Sequence, residues 1–264
     1  MTTPNLLERL PEVGRWIDGA GSLLLGLDFD GTLAPIRPLP DQVALPADVR
    51  ETLARLSGRD RLALMIVSGR NLDDVAARVG LPDLIYAGNH GMEIRGPGLE
   101  FLEPTAAALI EPLRERSDRL EERLATIPGA LVERKGLTTS VHYRNVAPDR
   151  WEELAGIVKE VAANDAERFV VTTGHRVWEI RPIVHWHKGE AILWTLQHLD
   201  DPNHRLVCHV GDDRTDEDAF ASLPDGLTVK VGPADVPTAA RYRLADPPEV
   251  ARFLAWLADR PPTQ

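Results

Sequence analysis

The stretch SLLLGLDFDGTLAPI, residues 22–36, decides the fold class because an apolar run ends in two closely spaced carboxylates. The apolar part predicts a buried strand of a parallel sheet. If the strand continued, Asp28 and Asp30 would point to one side and Phe29 to the other. Two carboxylates in one small space repel each other unless a cation lies between them or solvent screens them. The stretch therefore indicates either a cation-binding site or a strand that ends in a solvated turn at Gly31.

Composition excludes several classes of protein. The 264 residues suffice for one large domain or two smaller ones. A formal net charge of -11 with no basic stripe argues against binding to nucleic acid or to anionic membranes. No apolar run approaches the roughly 18 residues of a spanning helix, and the N-terminus lacks a basic segment followed by an apolar one. We therefore expect a cytoplasmic protein, in which the single cysteine, Cys208, serves in packing.

Short apolar runs alternate with amphipathic helical patterns, which predicts βαβ units and a mostly parallel sheet. Strands are expected at residues 22–29, 61–69, 83–91, 205–212 and 227–232. Helices are expected at residues 46–58, 71–80, 188–199 and 248–260. The first twenty residues are expected to form a short helix that either packs on this core or contacts a partner.

The middle of the chain has a different pattern, typical of an inserted α+β domain. A long helical stretch over 104–129 is interrupted by Pro112. It is followed by a hairpin, a second helix and two more strands, at residues 130–136, 138–144, 149–164, 168–174 and 176–182. The predicted fold is α/β, with a Rossmann-like core formed by residues 1–103 and 183–264 and a cap formed by residues 104–182.

Polar residues follow the predicted strands at the edge where open parallel sheets bind ligands. They are Asp28, Asp30, Ser68, Asp212, Asp213 and Asp216. Lys188 begins a helix, and its positive charge at the positive end of the helix dipole is unfavourable by about 0.3–1 kcal/mol unless an anion lies nearby. For the following acidic run we expect Thr215 to cap a helix, with Asp218 as its partner. Asp212 has no part in that cap, and carboxylates from two strand ends are suitable ligands for Mg²⁺.

These four segments resemble the motifs of the haloacid dehalogenase (HAD) superfamily of phosphotransferases, in the correct order. They are DFDGT at residues 28–32, Ser68, Lys188 and GDDRTD at residues 211–216. The resemblance implies a HAD-like core in which Asp28 is the nucleophile that forms an aspartyl-phosphate and Asp30 is first acid and then base.

The same resemblance implies the other residues of the core site. The implied cofactor is Mg²⁺, held by Asp28, Asp212 and the main-chain carbonyl of Asp30. Ser68, Gly69 and Lys188 would hold the phosphoryl oxygens. Asp213 and Asp216 would lie behind the ligands, with Asp216 orienting Lys188 or a metal-bound water.

Further segments resemble the trehalose-6-phosphate phosphatases. They are SGR at 68–70, GNHG at 88–91, ERKG at 133–136, SVHYR at 140–144 and WEIRP at 178–182. By alternation, Glu133 and Lys135 share a side of the cap sheet, as do His142 and Arg144, and as do Glu179 and Arg181. The aromatic residues Tyr143 and Trp178 would face the opposite, buried side. This resemblance implies that the sugar is held by Glu133, Lys135, His142, Arg144 and Glu179, with Asn89 and His90 reaching it from the core.

The expected activity is Mg²⁺-dependent hydrolysis of trehalose 6-phosphate to trehalose and phosphate, with a trehalose-6-phosphate synthase as an expected partner. Alternatives are a phosphatase for another sugar phosphate, such as sucrose 6-phosphate or a glycosyl-phosphoglycerate, or a catalytically silent sugar-phosphate sensor. A phosphomutase is disfavoured because a bisphosphate intermediate would need a second basic pocket. The pair His185 and His187 around Trp186 departs from the family pattern, but two-residue spacing without further ligands argues against zinc.

Overall fold

The chain divides into two compact units, which we call the core unit (residues 1–101 and 186–264) and the inserted unit (residues 102–185). The structure is a computed structural model that describes residues 3–163, 167–174, 176–200 and 205–261. Among the helices of these described ranges, none combines the length and the apolar content that crossing a membrane requires.

An eight-stranded sheet forms the centre of the core unit. Its strands are β1 (Ser22–Leu27), β2 (Leu62–Val67), β3 (Ile85–Gly88), β4 (Glu93–Gly96), β5 (Leu99–Leu102), β10 (Arg205–Gly211), β11 (Leu227–Val231) and β12 (Tyr242–Leu244). They are arranged in the order β12-β11-β10-β1-β2-β3-β4-β5. The pairs from β12 to β3 are parallel, and β4 is antiparallel to β3. Because β1 lies between β10 and β2, the chain order reverses beside β1, which is where open α/β sheets bind ligands.

Helices cover both faces of this sheet. They are α1 (Leu10–Gly19), α2 (Ala47–Ser57), α3 (Leu72–Val79), α7 (Lys188–His198), α8 (Arg214–Ser222) and α9 (Pro247–Asp259). Leu23, Leu25 and Leu27 of β1 belong to one apolar cluster, with α1, α2, α3 and α9. Leu24 belongs to a second cluster, with α7 and α8. The continuous apolar run in β1 therefore arises because alternate side chains enter two separate cores.

The inserted unit has its own antiparallel sheet and its own apolar core. The sheet contains β6 (Leu131–Arg134), β7 (Thr139–His142), β8 (Phe169–Gly174) and β9 (Val177–Pro182), in the order β6-β7-β9-β8. The helices are α4 (Pro104–Ala108), α5 (Ile110–Leu124) and α6 (Trp151–Ala163). Val141 and Ile180 are fully buried from the sheet, and Leu120 and Leu154 from the helices. The expected α/β fold with an additional antiparallel sheet is therefore confirmed.

Several elements differ from the sequence-based expectations. The break in the long helical stretch lies at Leu109, whose φ is -103° and ψ is 4°, and not at Pro112. Pro112 is in the first turn of α5, where a missing N–H costs no intrahelical hydrogen bond. The N-terminal segment begins with a 3-10 helix, Leu6–Arg9, and its Leu6 is fully buried in the core unit. Of the two alternatives, this burial agrees with packing on the core.

Three short strands were not expected from the sequence. They are β4, β5 and β12. The third predicted strand is shorter than expected, since β3 ends at Gly88 and a 3-10 turn, Asn89–Gly91, follows it.

Candidate active site

Lys188 lies at the centre of the site, as the first residue of α7. Its side chain is 1% exposed, and Nζ donates to Oδ1 of Asp28 at 2.7 Å and to Oδ1 of Asp216 at 2.9 Å. Burial lowers the pKa of Lys188, but the charges of Asp216 and Asp28 outweigh burial and raise it well above its usual value. The buried group is therefore a cation held between two carboxylates.

Three acids surround this cation at the ends of β1 and β10. Oxygen atoms of Asp28, Asp212 and Asp216 lie within 4.8 Å of one another. Burial raises the pKa of Asp28; Lys188 opposes this rise, and Asp216 and Asp212 add to it, so the net pKa is well above the usual value. Burial, followed by the charges of Asp216 and Asp213, raises the pKa of Asp212 to about 6. One lysine therefore leaves uncompensated negative charge, and oxygen ligands with such charge suit a divalent cation.

The carboxylate of Asp216 is occupied on both oxygens. Oδ1 lies 2.9 Å from Nζ of Lys188 and 2.9 Å from Nε2 of His209. Oδ2 accepts from the amides of Asp212 and Asp213, each at 3.1 Å. Four neighbours use the roughly four lone-pair positions of a carboxylate. The other two acids of the cluster therefore remain to bind a cation.

Two glycines allow the acids to approach the main chain. Gly31 has a φ of +83°, and a Cβ at this position would overlap the carboxylate of Asp212. A Cβ at Gly211 would overlap the carboxylate of Asp216. Only glycine therefore fits at both positions, because a side chain would displace an acid of the site.

Lys230 and Thr32 fix the loop that carries Asp212. Nζ of Lys230, on β11, donates to the main-chain oxygens of Asp212 at 2.5 Å and Asp213 at 3.3 Å. Oγ1 of Thr32 donates to Oδ1 of Asp212 at 3.3 Å. The sequence analysis missed Lys230, although a lysine within the apolar run LTVKV, residues 227–231, is a signal of a specific polar contact.

The acidic run after β10 is capped differently from the expectation. Asp213 is the N-cap of α8 and accepts from the amides of Thr215 and Asp216, while Asp216 completes the capping box. Thr215 instead donates its hydroxyl to Asp213 at 2.7 Å. The expected cap of Thr215 with Asp218 is therefore wrong, because β10 ends at Gly211 and places the earlier aspartate at the helix start.

Asp30 has its own cation, which the sequence analysis did not identify. Its carboxylate accepts from Nε and Nη2 of Arg70 at 2.6 Å and 2.7 Å, a bidentate pair. Arg70 also donates to Asp74 at 2.9 Å. Burial lowers the pKa of Arg70, but the hydrogen bond and the charge of Asp30 outweigh it and raise the pKa. Because β1 ends at Leu27, strand alternation does not extend to Asp30, and the two carboxylates contact different cations.

The ends of β2 and β3 bring together the predicted phosphate-binding residues and two predicted sugar-binding residues. Ser68 is 1% exposed, and its Oγ accepts from the main-chain amide of Arg70 at 3.2 Å. Asn89 and His90 have φ values of 49° and 60°, and the amide of His90 donates to the main-chain oxygen of Ser68 at 2.9 Å. A Cβ at Gly69 would contact the ring of His90 closely. The glycine therefore allows these two turns to pack against each other.

One face of the inserted sheet carries most of the other predicted sugar-binding residues. Ser140 of β7 lies opposite Glu133 on β6 and Glu179 on β9. Nε2 of His142 lies 2.7 Å from Oε2 of Glu133, and Nζ of Lys135 donates to Oε1 of Glu179 at 3.2 Å. We call the face formed by Glu133, Lys135, His142 and Glu179 the polar face.

Arg144 does not lie on a strand. It is exposed in the turn after β7. Tyr143 and Trp178 stack at 4.0 Å and pack against the apolar core of the inserted unit. The predicted burial of these two aromatic residues agrees with that packing.

Neither histidine of the HWHK segment is part of the acidic cluster. Nδ1 of His187 accepts from the amide of Gly189 at 3.1 Å and caps α7. Nε1 of Trp186 donates to the main-chain oxygen of Gly91 at 2.7 Å. His187 and Trp186 therefore have structural roles at the start of the helix that carries Lys188.

Comparison with known proteins identifies the family. The sequence profile of the Trehalose-phosphatase family matches residues 26–248. Proteins named trehalose-phosphate phosphatase from Mycobacterium marinum and Mycobacterium avium are 40% and 38% identical over 88% and 96% of this chain. The chain spans 60% of the first relative and 68% of the second.

Solved structures agree with this assignment. The C-terminal domain of the trehalose-6-phosphate phosphatase of C. albicans is 26% identical, with a TM-score of 0.80 over 97% of this chain and 98% of that one. A trehalose-6-phosphate phosphatase related protein is 26% identical, with a TM-score of 0.77 over 89% of this chain and 96% of that one. The matched residues 26–248 include Asp28, Lys188 and Asp212. The chain therefore belongs to the trehalose-phosphatase family, within the HAD-like fold.

Proposed function

We propose that this chain is a Mg²⁺-dependent phosphatase that hydrolyses trehalose 6-phosphate to trehalose and phosphate in trehalose biosynthesis. The observation that carries the proposal is the buried pair of Asp28 and Lys188 within a cluster of acids. A carboxylate nucleophile beside a fixed ammonium group is suited to phosphoryl transfer, which depends on positioning and on charge neutralisation. Family membership supports the sugar phosphate as substrate.

The residues present fit a divalent cation. Asp28 and Asp212 would bind it, together with the main-chain carbonyl of Asp30. Burial, and after it the charges of neighbouring acids, raises the pKa values of both carboxyl groups, and a bound cation would offset both effects. Bound Mg²⁺ would neutralise charge between the phosphate dianion and the attacking carboxylate. Asp216 would act through Lys188, because its oxygens already have partners.

The first chemical step uses four side chains and one main-chain amide. The Asp28 carboxylate attacks phosphorus, the bond from phosphorus to the sugar oxygen breaks, and an aspartyl-phosphate forms. Protonated Asp30 gives its proton to the leaving sugar oxygen. Lys188 donates to a phosphoryl oxygen, with Ser68 and the amide of Gly69 as further donors.

The second step restores the enzyme. Asp30, now a carboxylate, takes a proton from the attacking water, and the bond from phosphorus to Asp28 breaks to release phosphate. In this structure Arg70 donates to both oxygens of Asp30, which corresponds to the carboxylate form that takes the proton in this step. Asp30 thus changes protonation state twice in each turnover.

The polar face supports a role of the inserted unit in sugar binding. Glu133, Lys135, His142 and Glu179 present both donors and acceptors, as carbohydrate hydroxyls require. Asn89 and His90 are proposed as the core residues that contact the sugar, and Arg144 as a further contact from its turn. Binding to a trehalose-6-phosphate synthase and a cytoplasmic location remain predictions that rest on the family resemblance and the composition.

A phosphate-release panel tests the proposal. Purified protein is assayed with trehalose 6-phosphate, sucrose 6-phosphate, a glycosyl-phosphoglycerate and glucose 6-phosphate, with Mg²⁺ and after its removal by chelation. We expect the fastest release from trehalose 6-phosphate and a loss of activity without Mg²⁺. Equal rates on trehalose 6-phosphate and glucose 6-phosphate would contradict the substrate. Tight binding without phosphate release would indicate a sensor.

A further inference from the structure

His209 is a fully buried histidine that the reaction steps above do not use. It lies in β10 among apolar residues, directly opposite Gly26 of the neighbouring β1. A polar ring at the centre of a parallel sheet is unfavourable unless its nitrogens have partners. Each ring nitrogen of His209 has a hydrogen-bond partner, and the partner of Nε2 is Asp216 of the candidate active site.

The two partners of the ring are both acceptors. Nδ1 lies 3.2 Å from the main-chain oxygen of Gly26. Nε2 lies 2.9 Å from Oδ1 of Asp216. The same Oδ1 lies 2.9 Å from Nζ of Lys188, a group that can only donate, so this oxygen is an acceptor. Nε2 of His209 therefore donates to Asp216.

The surroundings of the ring are built to hold it in one place. A Cβ at Gly26 would lie 3.2 Å from Nδ1, so the glycine leaves room for the imidazole within the sheet. The ring of Phe220, on α8, lies 5.5 Å away, centroid to centroid. The ring is fixed by its strand, by its neighbouring strand and by the helix that carries Asp216.

This arrangement continues to the proposed nucleophile. Oδ1 of Asp216 is shared between His209 and Lys188, and Nζ of Lys188 is shared between Asp216 and Asp28. Without the imidazole, Oδ1 would keep only Lys188 as a side-chain donor. Oδ2 would still accept from the amides of Asp212 and Asp213, but Oδ1 would no longer be held on the side away from Lys188, and the ammonium group could shift with it away from Asp28.

We propose that His209 is a positioning residue, which holds the carboxylate of Asp216 so that Lys188 stays at Asp28. The inference rests on the proposed phosphatase activity for its kinetic consequence, but not for its structural one. His209 touches neither the phosphate nor the sugar in this scheme. It acts through Asp216 and Lys188 on the position of one charge.

Three substitutions separate positioning from simple packing. His209→Gln retains a donor near the position of Nε2, His209→Asn retains one near Nδ1 only, and His209→Phe retains the ring volume without a donor. We expect the phenylalanine and asparagine variants to lower kcat about 10- to 100-fold, the usual effect of removing a residue behind an active-site group, with KM within about threefold. The glutamine variant should recover most of the loss. Equal kcat in wild type and His209→Phe would overturn the proposal.

Crystal structures of the same variants provide a readout that needs no substrate. We expect the hydrogen bond between Lys188 and Asp28 to be retained in His209→Gln and lost in His209→Phe; its retention in both would also overturn the proposal. Wild type that releases no phosphate from any sugar phosphate would refute the proposed function, while the structures would still decide the role of His209. If His209→Phe does not fold, nitrogen-15 spectra of wild type decide: hydrogen on Nε2 supports the proposal, and a bare Nε2 refutes it.

Discussion

Asp28 differs from an ordinary buried aspartate in that both a positively charged side chain, Lys188, and two further acids, Asp212 and Asp216, lie close to it. Lys188 favours its ionised form, while burial, Asp216 and Asp212 disfavour it, and the net effect is a raised pKa. In the proposed reaction, the positive charge of a bound cation would lower this pKa and favour the carboxylate that attacks phosphorus.

Replacing this carboxylate by an amide tests the nucleophile. Asp28→Asn keeps the shape of the side chain but cannot form the acyl phosphate, so we expect kcat to fall by more than about 10³-fold. Calorimetry should give a dissociation constant for trehalose 6-phosphate within about tenfold of wild type, because Lys188 and the sugar contacts remain. Asp18→Asn, on α1, removes a carboxylate outside the site and serves as the control. Unchanged turnover in Asp28→Asn would refute the nucleophile assignment.

The turn after β1 tests whether a single glycine protects the cation site. Gly31→Ala and Gly21→Ala both place a side chain at positive φ, +83° and +73°, at a cost of about 1–2 kcal/mol. A Cβ at Gly31 overlaps Asp212, whereas a Cβ at Gly21 has no atom within 4 Å. We expect both variants to melt earlier than wild type. Only Gly31→Ala should lose the stabilisation by added Mg²⁺ in thermal unfolding, and equal Mg²⁺ responses would contradict this account.

The polar face makes a separate prediction at the level of a sheet. Glu133→Gln and Glu179→Gln remove charged acceptors, and a hydrogen bond to a charged group contributes about 1.5–3 kcal/mol, so KM for trehalose 6-phosphate should rise at least about tenfold. Hydrolysis of p-nitrophenyl phosphate, which has no sugar, should change less than about twofold. Glu122→Gln, exposed on α5, is the matched control in the same unit. An equal effect on both substrates would exclude a role in sugar binding.

Elements with strong local signals were predictable from the sequence, and those set by distant contacts were not. The apolar run of β1 and the helix beginning at Lys188 follow from periodicity. The cap of α8 does not, because Asp213 and Thr215 are both good N-cap residues and the end of β10 selects the first. The strands β4 and β5 have only four residues each, which is too short for a clear periodic pattern.

The same distinction holds within the site. Asp28, Ser68, Lys188 and Asp212 stand at strand or helix ends, where the sequence pattern draws attention to them. The contact of His209 with Asp216 is not visible in this way, because it depends on the register that places Gly26 beside the histidine. The pairing of Arg70 with Asp30 depends likewise on the meeting of two turns.

At the scale of the whole molecule, the acid cluster couples stability to pH. In the metal-free protein the pKa of Asp212 is about 6, above its usual 3.8, so the folded state binds this proton more tightly than the unfolded chain. This contribution to stability is fully present below pH 3.8 and is lost as the pH rises through 6. A bound cation would replace the proton and restore the lost stability above pH 6.

Thermal unfolding with and without Mg²⁺ tests this coupling. Because the cation must displace the proton from Asp212, a pKa of about 6 reduces the apparent Mg²⁺ affinity about tenfold between pH 7 and pH 5. We expect the rise in Tm at a fixed Mg²⁺ concentration to be larger at pH 7 than at pH 5, in proportion to occupancy. Asp212→Asn should show no Mg²⁺ response at either pH. An Mg²⁺-induced rise in Tm that is the same at both pH values in wild type would show that Asp212 is not a ligand, and the cation would then have to be held by Asp28 without it.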